Sequence, residues 1–451
     1  MQTPSGAPRR LIGLLDATAL VVGSMIGSGI FIVSAESARL VGTPARLVAV
    51  WLVAGLLTLL AANACAELAT MFPLAGGPYA FFSEAYGPLP GFLYGWTTVL
   101  VIQTGTIAAV AVAFSKFLGL LVPSVAGGWT KAVAALVVIV LTGTNALGLR
   151  VGTRVQNVLT ALKLAALLAL TACGIAFGRA QAFAVTVAAA GDAAAAPESQ
   201  AFTALVLAFA LALVGPAFSQ SAWTNVTFPG AEVAAPSRTF PRALLLGCSL
   251  VAGLYVLANV GYLRTLGLSG IAHAPQDRVG TAAAAVLVPG GGAWMAAAIL
   301  VSTFGCANGL VLSGARVVYA LAADGHLPAA AARLNRAGVP GVALALQASW
   351  ALVLVLSGTY TDLLRYVVAV EFAVLVLLVL AVPVLRRRLP ERERPYRAWG
   401  HPFTSGLFVL LAGTVVVLLA VASPRTTLPG FGLVLAGIPV FLARRKKGRA
   451  G

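Results

Sequence analysis

The sequence predicts an all-helical protein that crosses a membrane many times, and three observations carry that prediction. Of its 451 residues, 60% are hydrophobic and only 10% are charged, whereas soluble domains carry about 25% charged residues. Apolar stretches of about 20 residues recur from end to end, each long enough to cross a hydrocarbon core about 30 Å thick. The basic residues are sorted by side. Twelve spans are placed at 12–40, 45–71, 90–121, 130–147, 155–177, 202–230, 242–266, 293–320, 341–358, 364–385, 405–422 and 428–443. With the N-terminus in the cytoplasm, 20 of the 30 Lys and Arg fall on inner segments or inner span ends, 9 on outer ones, and Lys163 in the middle of a span. This is the positive-inside pattern. The net charge of +17 therefore reports orientation and an attraction to anionic lipid headgroups, and argues against nucleic acid as a partner.

The first span contains "GSMIGSGIF", residues 23–31. Gly costs about 1 kcal/mol relative to Ala in a helix interior, so this stretch reads as a break. Gly23 with Gly27 and Ser24 with Ser28 also fit the small-xxx-small pattern of close helix packing. Asp16 and, in the second span, Glu67 sit near inner ends and read as interface charges. In the third span Gln103, Thr104 and Thr106 either line a cavity or join helices, and Asn259 and Asn308 in the seventh and eighth spans are open to the same two readings. Lys163 stands within the fifth span, where a charge costs at least about 2.5–3.5 kcal/mol. It lies about 12 Å from the inner end at 1.5 Å per residue, which leaves snorkelling as the alternative to a functional role.

The outer segment from Arg179 to Ala201, with "GDAAAAPESQ", reads as a flexible loop. The sixth span follows with "FALALVGPAFSQSAWTNVTFPG", in which Gly215 and Pro216 precede Ser219, Gln220 and Ser221. A proline inside a helix removes a donor and clashes with the preceding turn, so a second break is expected here. Glu232 with Arg238 reads as a helix cap or an inner gate. Glu371, in the tenth span, has three open roles: carrying a proton, contacting a cationic substrate, or pairing with another charge. A later start to that span would instead put it at the outer interface.

Two interrupted spans five apart are the pointer to a transporter of two inverted five-helix repeats. Breaking a helix frees N–H groups at one new end and C=O groups at the other, with about half a unit of charge at each. An α-amino acid carries a carboxylate and an ammonium on one carbon, so paired breaks offer both a partner.

The chain reads as one membrane domain over 1–451. A ten-helix core occupies 12–385, and a charged, proline-rich hinge follows at 386–404. Two further helices take 405–443, and a basic tail 444–451. No segment reads as a cleaved signal, so the first span is expected to stay. Cys65, Cys173, Cys248 and Cys306 all fall in apolar spans, and no structural disulfide is expected. His273, His326 and His401 form no ligand cluster, so no metal or other cofactor and no enzyme activity are expected.

Six stretches, in order, resemble the amino acid–polyamine–organocation superfamily, and within it the L-type amino acid transporter group. They are "GSMIGSGIF", "AELATMFPLAGGPYAFFSEAYGPLPGFLYGW", "RVQNVLTALKLAALLAL", "FSQSAWTNVTFPGAEVAAPSRTFPRAL", "FGCANGLVLSGARVVYALAADGHLP" and "RPYRAWGHPF". The resemblance implies twelve transmembrane helices in the leucine-transporter arrangement, five plus five with helices 1 and 6 broken. It implies an amino acid permease of the cell membrane with cytoplasmic termini. It places the substrate carboxylate on backbone N–H groups at Ser28 and Gly29, and the ammonium on carbonyls at Met25, Phe218 and Ser221. Ile26, Gly27 and Ser219 complete this substrate site, and Phe218 closes over it. Lys163 takes the position of a lysine that bridges the first and eighth spans where sodium-coupled relatives hold sodium. Sodium-independent transport follows, by exchange or with protons, with Lys163 and Glu371 as coupling residues. Polyamines or cationic amino acids as substrates, and a non-transporting sensor, are the alternatives. Mammalian relatives join a heavy subunit through a cysteine after the third span; here "GLLVPSVAGGWTK" has none, so no disulfide-linked partner is expected.

Overall fold

The computed structural model describes residues 10–125, 128–179, 198–357, 360–422 and 424–447, and they are helical nearly throughout. The first span divides into α1 (Leu14–Met25), α2 (Gly29–Ile32) and α3 (Ser34–Val41). Asp16 caps α1 by accepting from the Gly13 N–H at 3.3 Å, and is itself held by Asn157 at 2.6 Å; it is a cap rather than a bare interface charge. The second span is α4 (Pro44–Met71), entered through Thr43 with Pro44 at the first helical position, where its missing N–H is harmless. A short α5 (Pro78–Tyr86) leads to α6 (Pro88–Thr97), which continues through a π-helical stretch, Thr98–Ile102, into α7 (Gln103–Leu121).

Next come α8 (Thr130–Ala146), α9 (Leu149–Phe177) and α10 (Glu198–Ser219), the last followed by a 3-10 turn at Trp223–Thr227. Helix α11 (Pro236–Ala272) has a kink at Gly267, whose φ of 68° suits glycine. Then α12 (Val279–Leu287), α13 (Gly291–Ala323), α14 (Gly341–Ser357), α15 (Tyr360–Arg388), α16 (Phe403–Ala422) and α17 (Pro424–Lys447) complete the chain. Among the described residues nine helices are long and apolar enough to cross a membrane, and three shorter apolar helices lie at Thr130–Ala146, Gly341–Ser357 and Gly430–Ala443. The protein is a polytopic membrane protein. Residues 180–197, most of the expected flexible loop, and 448–451 of the basic tail lie outside the described residues.

Helix α1 sits at the centre, against α9, α11, α13 and the 3-10 turn after α10. Its buried residues include Leu20, Val21, Val22, Gly23, Ser24 and Met25. Helix α15 packs on α4, α5, α7, α10, α16 and α17. The break in α1–α2 and the turn after α10 are thus in contact.

The segment between α15 and α16 is not a slack hinge. Glu67 of α4, 1% exposed, accepts from both ends of the Arg386 guanidinium at 2.9 and 2.7 Å and from the Ala398 N–H at 2.7 Å. Asn63 accepts from Tyr396 at 2.7 Å and the Trp399 N–H at 3.2 Å, and donates to the Trp399 carbonyl at 3.0 Å. Arg392 lies over Phe72, 4.3 Å from its ring centre. Two polar side chains on one helix face therefore hold the linker as a strap. Glu67 is a structural anchor rather than a lipid-interface charge.

Candidate substrate-binding site

The first break is short. Helix α1 ends at Met25, Ile26 has an extended backbone (φ −77°, ψ 93°), and helical hydrogen bonding resumes with Gly29. Side chains from three other helices meet the carbonyls that the break frees. Tyr255 of α11 donates to Met25 O at 3.0 Å, and Cys306 of α13 to Ser24 O at 2.9 Å. The Ser302 hydroxyl lies 3.2 Å from both Ile26 O and Gly27 O. Thr303, its neighbour, turns back to bond Ile299 O in its own helix.

Lys163 completes the set. It is 1% exposed, and its ammonium donates to Gly23 O, to Ile26 O at 2.8 Å and to Ser302 O at 3.4 Å. An ammonium has three N–H donors, and all three are used. Two go to the C-terminal end of α1, where the aligned peptide dipoles leave negative charge. The third goes to α13. Lys163 therefore does not snorkel; it ties the first break to the eighth span from the fifth.

The N–H side of the break faces α10. A methyl group on Gly29 would lie 2.8 Å from Ser219 Cβ and 3.2 Å from its Cα, and one on Gly27 would lie 3.0 Å from the Cys306 sulfur. The glycines of this motif thus permit close helix packing as well as a break.

The second break lies later than the Gly215–Pro216 pair. Helix α10 continues through Pro216 to Ser219, and the chain leaves it at Gln220–Ala222. Ala222 adopts a left-handed conformation, φ 65°, rare for a residue with a Cβ. Proline disturbs the turn before it, but the neighbouring helices hold that turn in place. The polar run after it is what ends the helix.

Two cavities adjoin this break, and Gly29 lines neither. One is lined by Phe218, Gln220, Ser221 and Trp223 with Ala54, Thr58, Phe372 and Phe408. The other is lined by Ser221, Ala222, Thr224 and Asn225 with Tyr94, Thr98, Gln103 and Thr106. Glu371 lines both, beside Ser221 in each and Ala222 in the second. Its carboxyl is turned into the bundle and not towards the outer interface. Of the expected substrate residues, Phe218 and Ser221 line a cavity. Met25, Ile26, Gly27 and Gly29 are packed among α9, α11, α13 and Ser219.

Among the third-span polar residues, Gln103 and Thr106 line the second cavity, while Thr104 bonds Val99 O in its own helix turn. Asn259 and Asn308 join helices: Asn259 accepts from Ser34 at 2.7 Å, and Asn308 links Asn145 and Gln156. Glu232 pairs with Arg316 of α13 and not with Arg238. Two bonds of 2.9 and 3.2 Å join the two side chains, both nearly buried. Arg238 is near in sequence, but the turn at Pro229–Glu232 aims the carboxylate across the bundle. Tyr255, Cys306 and Asn225 were missed, because a single polar group in an apolar helix does not announce which backbone it will meet.

A sequence model described as "Amino acid permease" matches residues 12–442. The chain is 29% identical to a serine/threonine exchanger of Bacillus subtilis over 99% of both proteins. It is 30% identical to the large neutral amino acids transporter small subunit 2 of Homo sapiens, over 96% of this chain and 80% of that protein. It is 28% identical to the Asc-type amino acid transporter 1 of Mus musculus, over 96% of this chain and 81% of that one.

Proposed function

This chain belongs to the amino acid permease family, and from that premise we propose how it works. It is an amino acid transporter of the plasma membrane, not an enzyme. Neutral amino acids are its substrates, consistent with the names of the relatives it resembles. The nine long and three shorter apolar helices are read as twelve spans, with both termini cytoplasmic. Spans one to five and six to ten form inverted repeats that move against each other around the two breaks.

The observation that carries this reading is the meeting of the breaks, with Lys163 bonded into the first. Parting them would expose first-span N–H groups at Ser28 and Gly29 to a carboxylate. The carbonyls at Met25, Phe218 and Ser221 would receive the ammonium. Ile26, Gly27 and Ser219 complete the walls, and Phe218 covers the substrate. Lys163 stands in the place of a sodium ion. Two unit charges 4 Å apart repel by about 4 kcal/mol at an effective dielectric of 20, so sodium and a charged Lys163 exclude one another.

The test is uptake of radiolabelled L-serine and L-leucine into proteoliposomes containing this single purified chain. Saturable uptake without any second subunit, unchanged when Na⁺ is replaced by choline, is expected. Binding without internalisation would favour a sensor, and strict sodium dependence would overturn the role of Lys163.

A further inference from the structure

Glu371 is a carboxyl group four residues, about 6 Å at 1.5 Å per residue, inside the apolar span Val367–Arg388 of α15. Among the described residues no ion pair neutralises it. Ionisable groups at such depth are costly and line pathways. Glu371 borders both cavities and so lies between them. It shares both cavities with Ser221 and the second with Ala222, so the donors it faces, the Ser221 hydroxyl and the Ala222 N–H, belong to the sixth-span break. An ionised carboxylate only accepts, whereas a protonated one keeps a single bare oxygen and must place an O–H. Its charge therefore decides how firmly α15 holds a backbone that is already in a disfavoured conformation at Ala222.

The second cavity is lined by polar groups that can hold water beside Glu371. Both polar side-chain atoms of Asn225 and the hydroxyl of Thr98 are buried there without a protein partner. Such groups are where buried water makes its hydrogen bonds. Thr98 begins the π-helical stretch of the third span, an irregularity that is frequent at functional sites. Tyr94 of α6 is the other titratable group lining the cavities. Helices α4, α7, α10, α13 and α16 present Thr58, Gln103, Thr106, Gln220 and apolar side chains. The charged residues further along α4 and α15, Glu67 and Arg386, are paired with each other.

We propose that Glu371 carries the proton of a proton-coupled transport cycle, and that its charge pins or releases the broken sixth span. The inference rests on the permease reading. On the side of higher proton activity the carboxylate takes one proton from water and becomes a neutral acid. The hold on Ser221 and Ala222 loosens and the sixth-span break moves with the substrate. On the other side the proton returns to water and the hold re-forms. One proton crosses per cycle, and only Glu371 is protonated and deprotonated.

The experiment uses proteoliposomes of the full chain with radiolabelled L-serine or L-leucine, in two modes. In counterflow, with preloaded amino acid and equal pH on both sides, wild-type exchange is expected to change rate several-fold as that pH is varied, whereas Glu371→Gln, neutral at every pH, is expected to exchange at a rate that does not depend on pH. With no amino acid inside and an inward tenfold proton gradient, wild type is expected to accumulate substrate several-fold above the external concentration. Glu371→Gln should reach no more than equality, and Glu371→Asp, which still titrates, should accumulate. A pH-sensitive dye inside wild-type vesicles should report acidification on adding substrate, a readout independent of whether the variants fold. Wild-type counterflow without gradient-driven accumulation or acidification overturns this inference and leaves the permease reading standing. So does a Glu371→Gln protein that accumulates like wild type, or one that loses only lysine and arginine uptake, which would make Glu371 a contact for cationic substrates. Absence of counterflow in the wild type overturns both readings.

Discussion

At the scale of single residues, Lys163 and Gly29 are both tightly constrained. Lys163 was legible in the sequence because a charge stands out in an apolar span; its acceptors were not, since they are backbone carbonyls of a helix some 140 residues away. Removing the ammonium leaves buried carbonyls unsatisfied, at about 1–3 kcal/mol for each. Lys163→Met is therefore expected to lower the melting temperature in detergent and to abolish uptake even at saturating substrate. A variant that melts and transports like wild type would refute this. At Gly29 a methyl group meets Ser219 Cβ at 2.8 Å and backbone at 3.2 Å. At Gly27 it meets only the Cys306 sulfur and Cβ, at 3.0 and 3.5 Å. Gly29→Ala should reduce uptake at least tenfold and Gly27→Ala much less, with partial recovery of the first by Ser219→Gly. Equal losses in the two single variants would show that crowding against α10 is not the cause.

At the scale of elements, the strap between α15 and α16 is held by Glu67 and Asn63, one turn apart on α4. The run "RRRLPERERPYRAWGHPF" looked like a hinge because proline and charge usually mark exposed chain. Its arginines instead find a buried carboxylate and helix-end carbonyls, including Met71 O and Leu389 O. Glu67→Ala is expected to destabilise the protein by about 3 kcal/mol and to make residues 389–402 the first site of limited proteolysis. Wild-type cleavage rates in that segment would contradict the docking. The sixth span teaches a similar lesson. Pro216 is the residue a sequence reader would choose as the break, but helix packing carries α10 past it to Ser219.

At the scale of the whole molecule, the Glu232–Arg316 pair joins the turn after the sixth span to the eighth, near the N-terminal segment. Leu11 and Ile12 N–H groups bond Glu232 O there, and Tyr79 bonds Asp324 at 2.5 Å. These contacts join elements distant in sequence. Removing one member of a buried pair is worse than replacing both. Arg316→Met should lower the melting temperature and slow exchange, and the double change Glu232→Gln with Arg316→Met should recover part of both. A double variant no better than the sum of the two singles would argue that the side chains act separately.

Composition, span length and the sidedness of Lys and Arg sufficed to identify a polytopic helical membrane protein, because lipid demands apolar helices whatever their neighbours are. Two breaks and one out-of-place lysine were visible for the same reason: each violates a rule that lipid enforces locally. The partners of those irregularities were decided in three dimensions. Which carbonyl Lys163 meets, where α10 ends, that Glu232 reaches Arg316, and that Glu371 faces the sixth-span break all depend on the rotation and crossing of helices. Those are set by packing over hundreds of atoms, and a nearly uniform apolar sequence records them only faintly.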